Sequence, residues 1–245
     1  MSDQVEDEIV AQREPFFKVP AIILLLLLPM VAIQLYVQSI PDAAKEQIYL
    51  TFGFVPSHLE NLHPKTPADY WNIAWPFVSH GFLHGNWAHL GFNGAFLLAF
   101  GTPLARRLGS AGFLGFYLVC GVFAGLAHWA LNVGSPYPVV GASGAIAGCM
   151  AGALRILFSR SGRFFLNKGP AIGQLAPLWD RQLLVFTAFW IVINGVMAFN
   201  LLPMPGAQGA TIAWGAHIGG YFAGLFLVPL FDAFSGGRTR GFPSL

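Results

Sequence analysis

Between Asp69 and Asp232 the chain carries a single acidic residue, Asp180. A soluble globule needs charge of both signs spread over its surface, roughly 25% of all residues. Here charged residues make up 10% of the chain and apolar ones 55%. The 13 Lys and Arg and 11 Asp and Glu cannot cover a water-facing exterior. The outer surface must face lipid, and a soluble enzyme is excluded. A net charge of +2 is too small to imply nucleic-acid binding. Cys120 and Cys149 both lie in apolar stretches, which argues against a disulfide framework or a thiolate metal site. The 29 glycines, scattered through apolar segments, imply helices whose backbones approach closely.

A bilayer core about 30 Å thick is crossed by roughly 20 apolar residues in a helix. Six stretches qualify: Val19 to Val37, Ala88 to Ala105, Ala111 to Leu131, Val139 to Phe158, Leu183 to Leu202 and Ala210 to Phe231. The expected fold is an all-α, six-helix membrane bundle. The first stretch is unlike a signal peptide: its apolar run is long, and acidic residues (Asp3, Glu6, Asp7, Glu8) precede it. No small-residue cleavage site follows closely, so it reads as an anchor. The domain layout is then a short cytoplasmic segment 1–18, a membrane domain 19–232 and a short cytoplasmic tail 233–245. Eleven of the 13 cations fall in the N-terminus, the second and fourth loops and the C-terminus; only Lys45 and Lys65 lie on the other side. By the positive-inside rule both termini of this multi-pass protein are expected in the cytoplasm. The uncharged third and fifth loops (Asn132 to Pro138, Pro203 to Gly209) then face outward.

The first loop, about 38–87, is roughly 50 residues long, far above the usual connection length. It mixes prolines with Phe52, Phe54, Tyr70, Trp71, Trp75, Phe77 and Phe82. Such a blend suits a segment lying partly in the membrane interface. An ordinary extramembrane loop is the alternative, and periodicity does not separate the two.

Polar groups at membrane depth are costly and default to functional candidates. They are His89 and Asn93 in the second stretch, His128 in the third, Ser143 in the fourth, Asn194 in the fifth and His217 in the sixth. The missing residues exclude several chemistries. An aspartyl protease needs two carboxylates sharing a proton, and a zincin needs His-Glu-x-x-His on a helix. A Ser-Lys dyad needs a lysine at the depth of the serine, and a full triad needs an orienting carboxylate. None of these is present. What remains is a serine and a histidine.

Ser143 stands in Gly141-Ala142-Ser143-Gly144, after the turn-forming Gly134-Ser135-Pro136-Tyr137-Pro138. That places it near a helix N-terminus, where free N–H groups and the helix dipole favour negative charge. A serine there can attack a carbonyl while its own N–H donates to the oxyanion. Ordinary small-residue packing explains the same string. His217 shares a helical face with Gly220 and Gly224, and Gly144, Gly148 and Gly152 recur every four residues. Gly141, Gly144, Gly220 and Gly224 are read as packing glycines whose stripes bring His217 toward Ser143. An imidazole there is a plausible general base; a histidine simply hydrogen-bonded between helices is the alternative. His89 and Asn93, four apart, share a face and offer N–H donors suited to an oxyanion. His80 and His84 precede the span and are read as bracing the loop. Three histidines spaced four and five apart also admit a zinc or copper site, although no carboxylate or thiolate nearby completes its shell. No metal and no cofactor are expected.

The order His-x-x-x-His, His-x-x-x-Asn, Gly-x-Ser-Gly and Ala-His-x-x-Gly-x-x-x-Gly resembles the rhomboid intramembrane serine proteases. Arg107-Leu108-Gly109-Ser110 is similar too, and the likeness covers about Trp75 to Phe231. It implies a six-helix rhomboid-like bundle with Ser143 as nucleophile and His217 as its base. His89, Asn93 and the Ser143 N–H would form the oxyanion hole. Its partners would be the transmembrane segments of substrate proteins and the lipid bilayer, with no nucleic acid. Two positions depart from the pattern. The family often has Trp-Arg in the first loop, where this chain has Trp75-Pro76. Bacterial members often place a tyrosine four residues after the serine, packed on the imidazole, where this chain has Ala147; Trp214 is a candidate to fill that space. The rival functions are an inactive, derlin-like protein that binds membrane helices and a histidine-based metal-binding membrane protein.

Overall fold

The computed structural model describes residues 19–60, 64–159, 175–199 and 213–235. Among these the regular secondary structure is helical, apart from one isolated antiparallel bridge between Phe54 and Val139. Residues 1–18 and 236–245, the fifth loop and most of the fourth lie outside the described residues, and with them the expected terminal segments.

Helix α1 (Ala21–Ser39) follows Pro20, whose fixed φ suits a helix start. One side is buried, through Ile22, Ile23, Leu26, Met30, Gln34 and Val37, while Leu25, Leu28, Leu35 and Tyr36 stay exposed. An exposed apolar stripe is what a lipid-facing surface requires. The first loop then folds into α2 (Asp42–Phe52), a 3-10 turn Pro56–Leu59, α3 (Pro67–Ala74), α4 (Pro76–Ser79) and a second 3-10 turn, His80–Phe82. A capping box starts α3: Thr66 Oγ1 accepts from the Asp69 N–H and Asp69 accepts from the Thr66 N–H. The loop is half wedge and half surface. Phe54 and Phe77 pack edge-to-face at 4.8 Å, and Phe77 lies against Gly125 inside the bundle. Tyr70 and Trp71 stay exposed.

Asn86 caps α5 (Trp87–Phe96) by accepting from the His89 N–H at 2.8 Å. A π turn, Leu97–Gly101, leads directly into α6 (Thr102–Leu131). Pro103 has no N–H for the Ala99 carbonyl, and a wider turn just before it relieves that mismatch. Within α6, Gly109 has φ 72° and ψ 169°. There the chain doubles back: Gly101 lies against Phe113, and Leu104 and Phe116 both reach Gly152. The second and third expected spans are therefore two antiparallel arms joined through one residue. Only glycine adopts that conformation at little cost. Arg107 holds Asp232 through two contacts of 2.7 Å, tying this turn to the end of the last helix.

Helix α7 (Ser143–Leu157) departs from expectation. It begins four residues after Val139 and has 15 residues, roughly 22 Å at 1.5 Å per residue. That is short of a bilayer core. Thirteen of its residues are buried, so protein rather than lipid surrounds it, and its first turn opens inside the bundle. Non-helical chain from Val139 to Gly141 leads into it; at Val139 it pairs with Phe54 through 2.9 and 2.8 Å hydrogen bonds. Helices α8 (Arg181–Ala198) and α9 (Trp214–Phe234) complete the bundle, with Asp180 capping α8. Among the described residues four helices are long and apolar enough to cross a membrane, one of them being the element broken at Gly109.

Candidate active site

The glycine stripes of α7 and α9 face each other. A Cβ on Gly148 would come 2.8 Å from the Gly220 carbonyl oxygen, and Gly224 lies on the Gly148 backbone. This backbone-on-backbone seam sets the site. Ser143, the first residue of α7, and His217, one turn into α9, meet across it with Oγ and Nε2 2.8 Å apart. The first bond of α7 runs from the Ile146 N–H to the Ala142 carbonyl at 3.0 Å. The N–H groups of residues 143–145 precede that bond, at the positive end of the helix dipole.

The other side of the imidazole is held from α8. His217 Nδ1 lies 3.0 Å from Asn194 Oδ1, and Asn194 Nδ2 donates to the Trp190 carbonyl at 2.9 Å. With the amide nitrogen so engaged, the oxygen must face the ring. An oxygen there can only accept, so Nδ1 carries the proton and Nε2 presents its lone pair to the serine hydroxyl. The Trp190 ring lies 6.3 Å from the imidazole and stacks on Tyr221, whose hydroxyl is 2.8 Å from Thr187 Oγ1.

Gly141 is not a helix-packing glycine. It precedes α7 with φ 119°, and a Cβ there would sit 2.7 Å from the His89 ring. Its N–H donates to the His80 carbonyl at 2.9 Å. The missing side chain thus lets the His89 imidazole lie against the turn that leads into Ser143. One turn further along α5, Asn93 donates to the His89 carbonyl at 2.9 Å, while its Oδ1 is buried without a hydrogen-bond partner among the described residues. In the first loop, His80 Nδ1 donates to the Pro76 carbonyl at 2.7 Å; burial lowers its pKa to about 4, so the ring is neutral. His84 is buried, its ring 5.1 Å from that of His89. His128 closes α6, where Asn132 Nδ2 donates to its carbonyl at 2.8 Å. Among the described residues no group of three His, Cys, Asp or Glu side chains could hold a metal ion.

A family model described as the Rhomboid domain matches residues 72–233, which span every helix from α4 through most of α9. This chain belongs to the rhomboid family. It is 38% identical over 104 residues to rhomboid protease GluP of Bacillus subtilis, covering 42% of this chain and 19% of that protein. To rhomboid protease GlpG of Serratia proteamaculans it is 30% identical over 166 residues, covering 67% and 50% respectively. To that of Yersinia pestis it is 29% identical over 178 residues, covering 72% and 54%. The chain thus spans about half the length, or less, of the curated relatives it matches. It is an integral membrane protein with the all-helical rhomboid fold.

Two departures from the rhomboid pattern have their physical account in this bundle. Without an arginine after Trp75, the loop is tied by Ser79 Oγ to the Phe52 carbonyl (2.6 Å) and Tyr49 OH to the His84 carbonyl (3.0 Å). With Ala147 in place of a tyrosine, the ring beside the imidazole is Trp190 of α8; Trp214 starts α9 and is partly exposed. Sequence reasoning singled out Asn194 as polar at membrane depth but gave it no partner. The available signal was its cost: a buried amide in a lipid-exposed helix needs a polar neighbour.

Proposed function

We propose that this chain is an intramembrane serine endopeptidase that cleaves transmembrane segments of other proteins. One observation carries the reading: a serine at the first position of a buried helix lies 2.8 Å from an imidazole nitrogen whose lone pair faces it. Ser143 Oγ attacks the scissile carbonyl carbon as its proton passes to His217 Nε2. The carbonyl electrons move onto oxygen, and we assign the Ser143 N–H, His89 and Asn93 as the donors that stabilise the charge. Collapse breaks the C–N bond, and His217 gives its proton to the departing nitrogen. Water, deprotonated by the same imidazole, then attacks the acyl-serine, releasing the carboxylic acid product and restoring the hydroxyl. Because a helix closes its carbonyls in hydrogen bonds, a cleavable segment carries helix-breaking residues near the cut.

A fluorophosphonate probe on the detergent-purified chain, run beside cleavage of a reporter transmembrane segment, tests the reading. The probe labels Ser143, Ser143→Ala and His217→Ala each lose cleavage, and the double variant is no worse, since members of one catalytic unit are non-additive. Multiplicative losses, or cleavage surviving in Ser143→Ala, would sink the proposal. In the same assay Asn93→Ala lowers kcat by ~10²-fold with little change in KM, and chelators have no effect. Chelator-sensitive cleavage with a benign Asn93→Ala would instead favour a metal. The proposed layout makes residues 19–232 the membrane domain, with both termini in the cytoplasm and the first loop, about 38–87, on the opposite side. Fusion reporters finding residue 60 and Leu245 on one side would overturn it.

A further inference from the structure

We propose that Asn194 is a positioning residue, an uncharged third member that fixes the tautomer and plane of the His217 imidazole. The inference rests on the proposed protease reading and deepens it. Asn194 is 1% exposed in a helix with only one other buried residue, Leu183. Around it Phe189, Ile191 and Val192 are exposed apolar side chains. An amide buried there is unfavourable unless both its ends are bonded, and both are: Nδ2 to the Trp190 carbonyl, Oδ1 to His217 Nδ1.

The two bonds act in sequence. The first, within one turn of α8, sets which end of the amide faces α9. The second then allows only the tautomer with hydrogen on Nδ1, the one able to take a proton from Ser143. In serine-protease triads a carboxylate does this work, and cysteine proteases show that an asparagine can serve instead. Membrane depth gives a physical reason for the amide, because an ionised carboxylate loses its hydration there and an amide has no net charge to lose. When the imidazole takes up the proton, the Nδ1–H bond to Oδ1 becomes charge-assisted and strengthens. Asn194 therefore favours the charged intermediate while touching neither substrate nor the reacting atoms.

The test uses the full chain in detergent, with Asn194→Leu, similar in size but without an acceptor, and Asn194→Asp, which keeps one. Asn194→Leu is expected to lower kcat by about 10- to 100-fold, below the ~10⁴ lost when a triad carboxylate is replaced. KM and the melting temperature stay near wild type, and Asn194→Asp recovers part of the rate. Nitrogen NMR of labelled histidine reports Nδ1 protonated in wild type and a mixture of tautomers in Asn194→Leu. A kcat for Asn194→Leu within twofold of wild type, or an unchanged tautomer, overturns the proposal. A loss that tracks melting temperature equally in both variants does so too. Ser143→Ala separates the two failures. If it still cleaves, the protease reading falls, while the tautomer spectrum still reports what Asn194 does to the ring.

Discussion

The α7–α9 seam and the attachment of α8 hold the same imidazole by opposite means. At the seam, Gly144 and Gly148 meet Gly220 and Gly224 with backbone against backbone, so many small contacts fix the distance between helices. Helix α8 buries only Leu183 and Asn194 and leaves Leu184, Val185, Phe189 and Val192 exposed. It reaches α9 through discrete groups: Thr187 to Tyr221, Trp190 on Tyr221 and His217, and Asn194 to His217. In a bilayer, apolar burial between helices gives little net drive, because lipid is as apolar as leucine. Close packing and polar bonds must do the work, and their balance differs between the two regions. The seam places the serine and the histidine; the α8 contacts orient one ring.

The largest break in that contrast is expected from Gly220→Val. Its Cβ would fall on the Gly144 backbone, so the helices must part, moving Ser143 away from His217. Overpacking of this kind costs ~3 kcal/mol or more. Folded yield, melting temperature and cleavage should fall together; wild-type melting would show that the seam is not tight.

A smaller effect sharpens the seam's dependence on backbone groups. Pro229 sits inside α9 and has no N–H for the Leu225 carbonyl. Buried Arg155 of α7 supplies a donor instead, through Nη1 at 3.0 Å, while its Nε holds the Ala176 carbonyl at 3.0 Å. Arg155→Met is expected to cost about 1–3 kcal/mol by leaving buried carbonyls unpaired. In a Pro229→Ala background the cost should shrink, since alanine restores the helical donor. Equal losses in both backgrounds, measured by denaturation in detergent, would rule out this division of labour.

The smallest change is expected on α8. Thr187→Val removes one interhelical hydrogen bond to Tyr221, and such bonds within membranes are worth ~0.6 kcal/mol. Melting should shift slightly, with cleavage near wild type. A loss as large as that of Gly220→Val would erase the distinction between the two regions.

Local signals in the chain carried much of the fold. Apolar runs marked the helices of the bundle, and the lack of acidic residues from Tyr70 through Trp179 required a lipid-facing exterior. The serine's place at a helix start was readable from the glycines and prolines before it. The exact start of α7 was not. Val139 to Gly141 is as apolar as the helix that follows, and its non-helical course goes with long-range bonds, Val139 to Phe54 and Gly141 to His80. Likewise two arginines suggested a loop near residue 107, yet the reversal needs only Gly109.

What the sequence determined by itself is therefore what depends on composition and short spacing: a membrane protein, helical segments, and glycines repeated on single faces. Tertiary structure decided which of those faces meet. Ser143 and His217 lie 74 residues apart and Asn194 lies 23 before the histidine. By spacing Gly141 is one more packing glycine; only the fold sets the His89 ring against it. A polar side chain at membrane depth declares that it needs a partner, because leaving it unpaired is costly. Nothing in local periodicity says which partner, since that depends on the distance and rotation between helices, and these are set by the whole bundle closing at once.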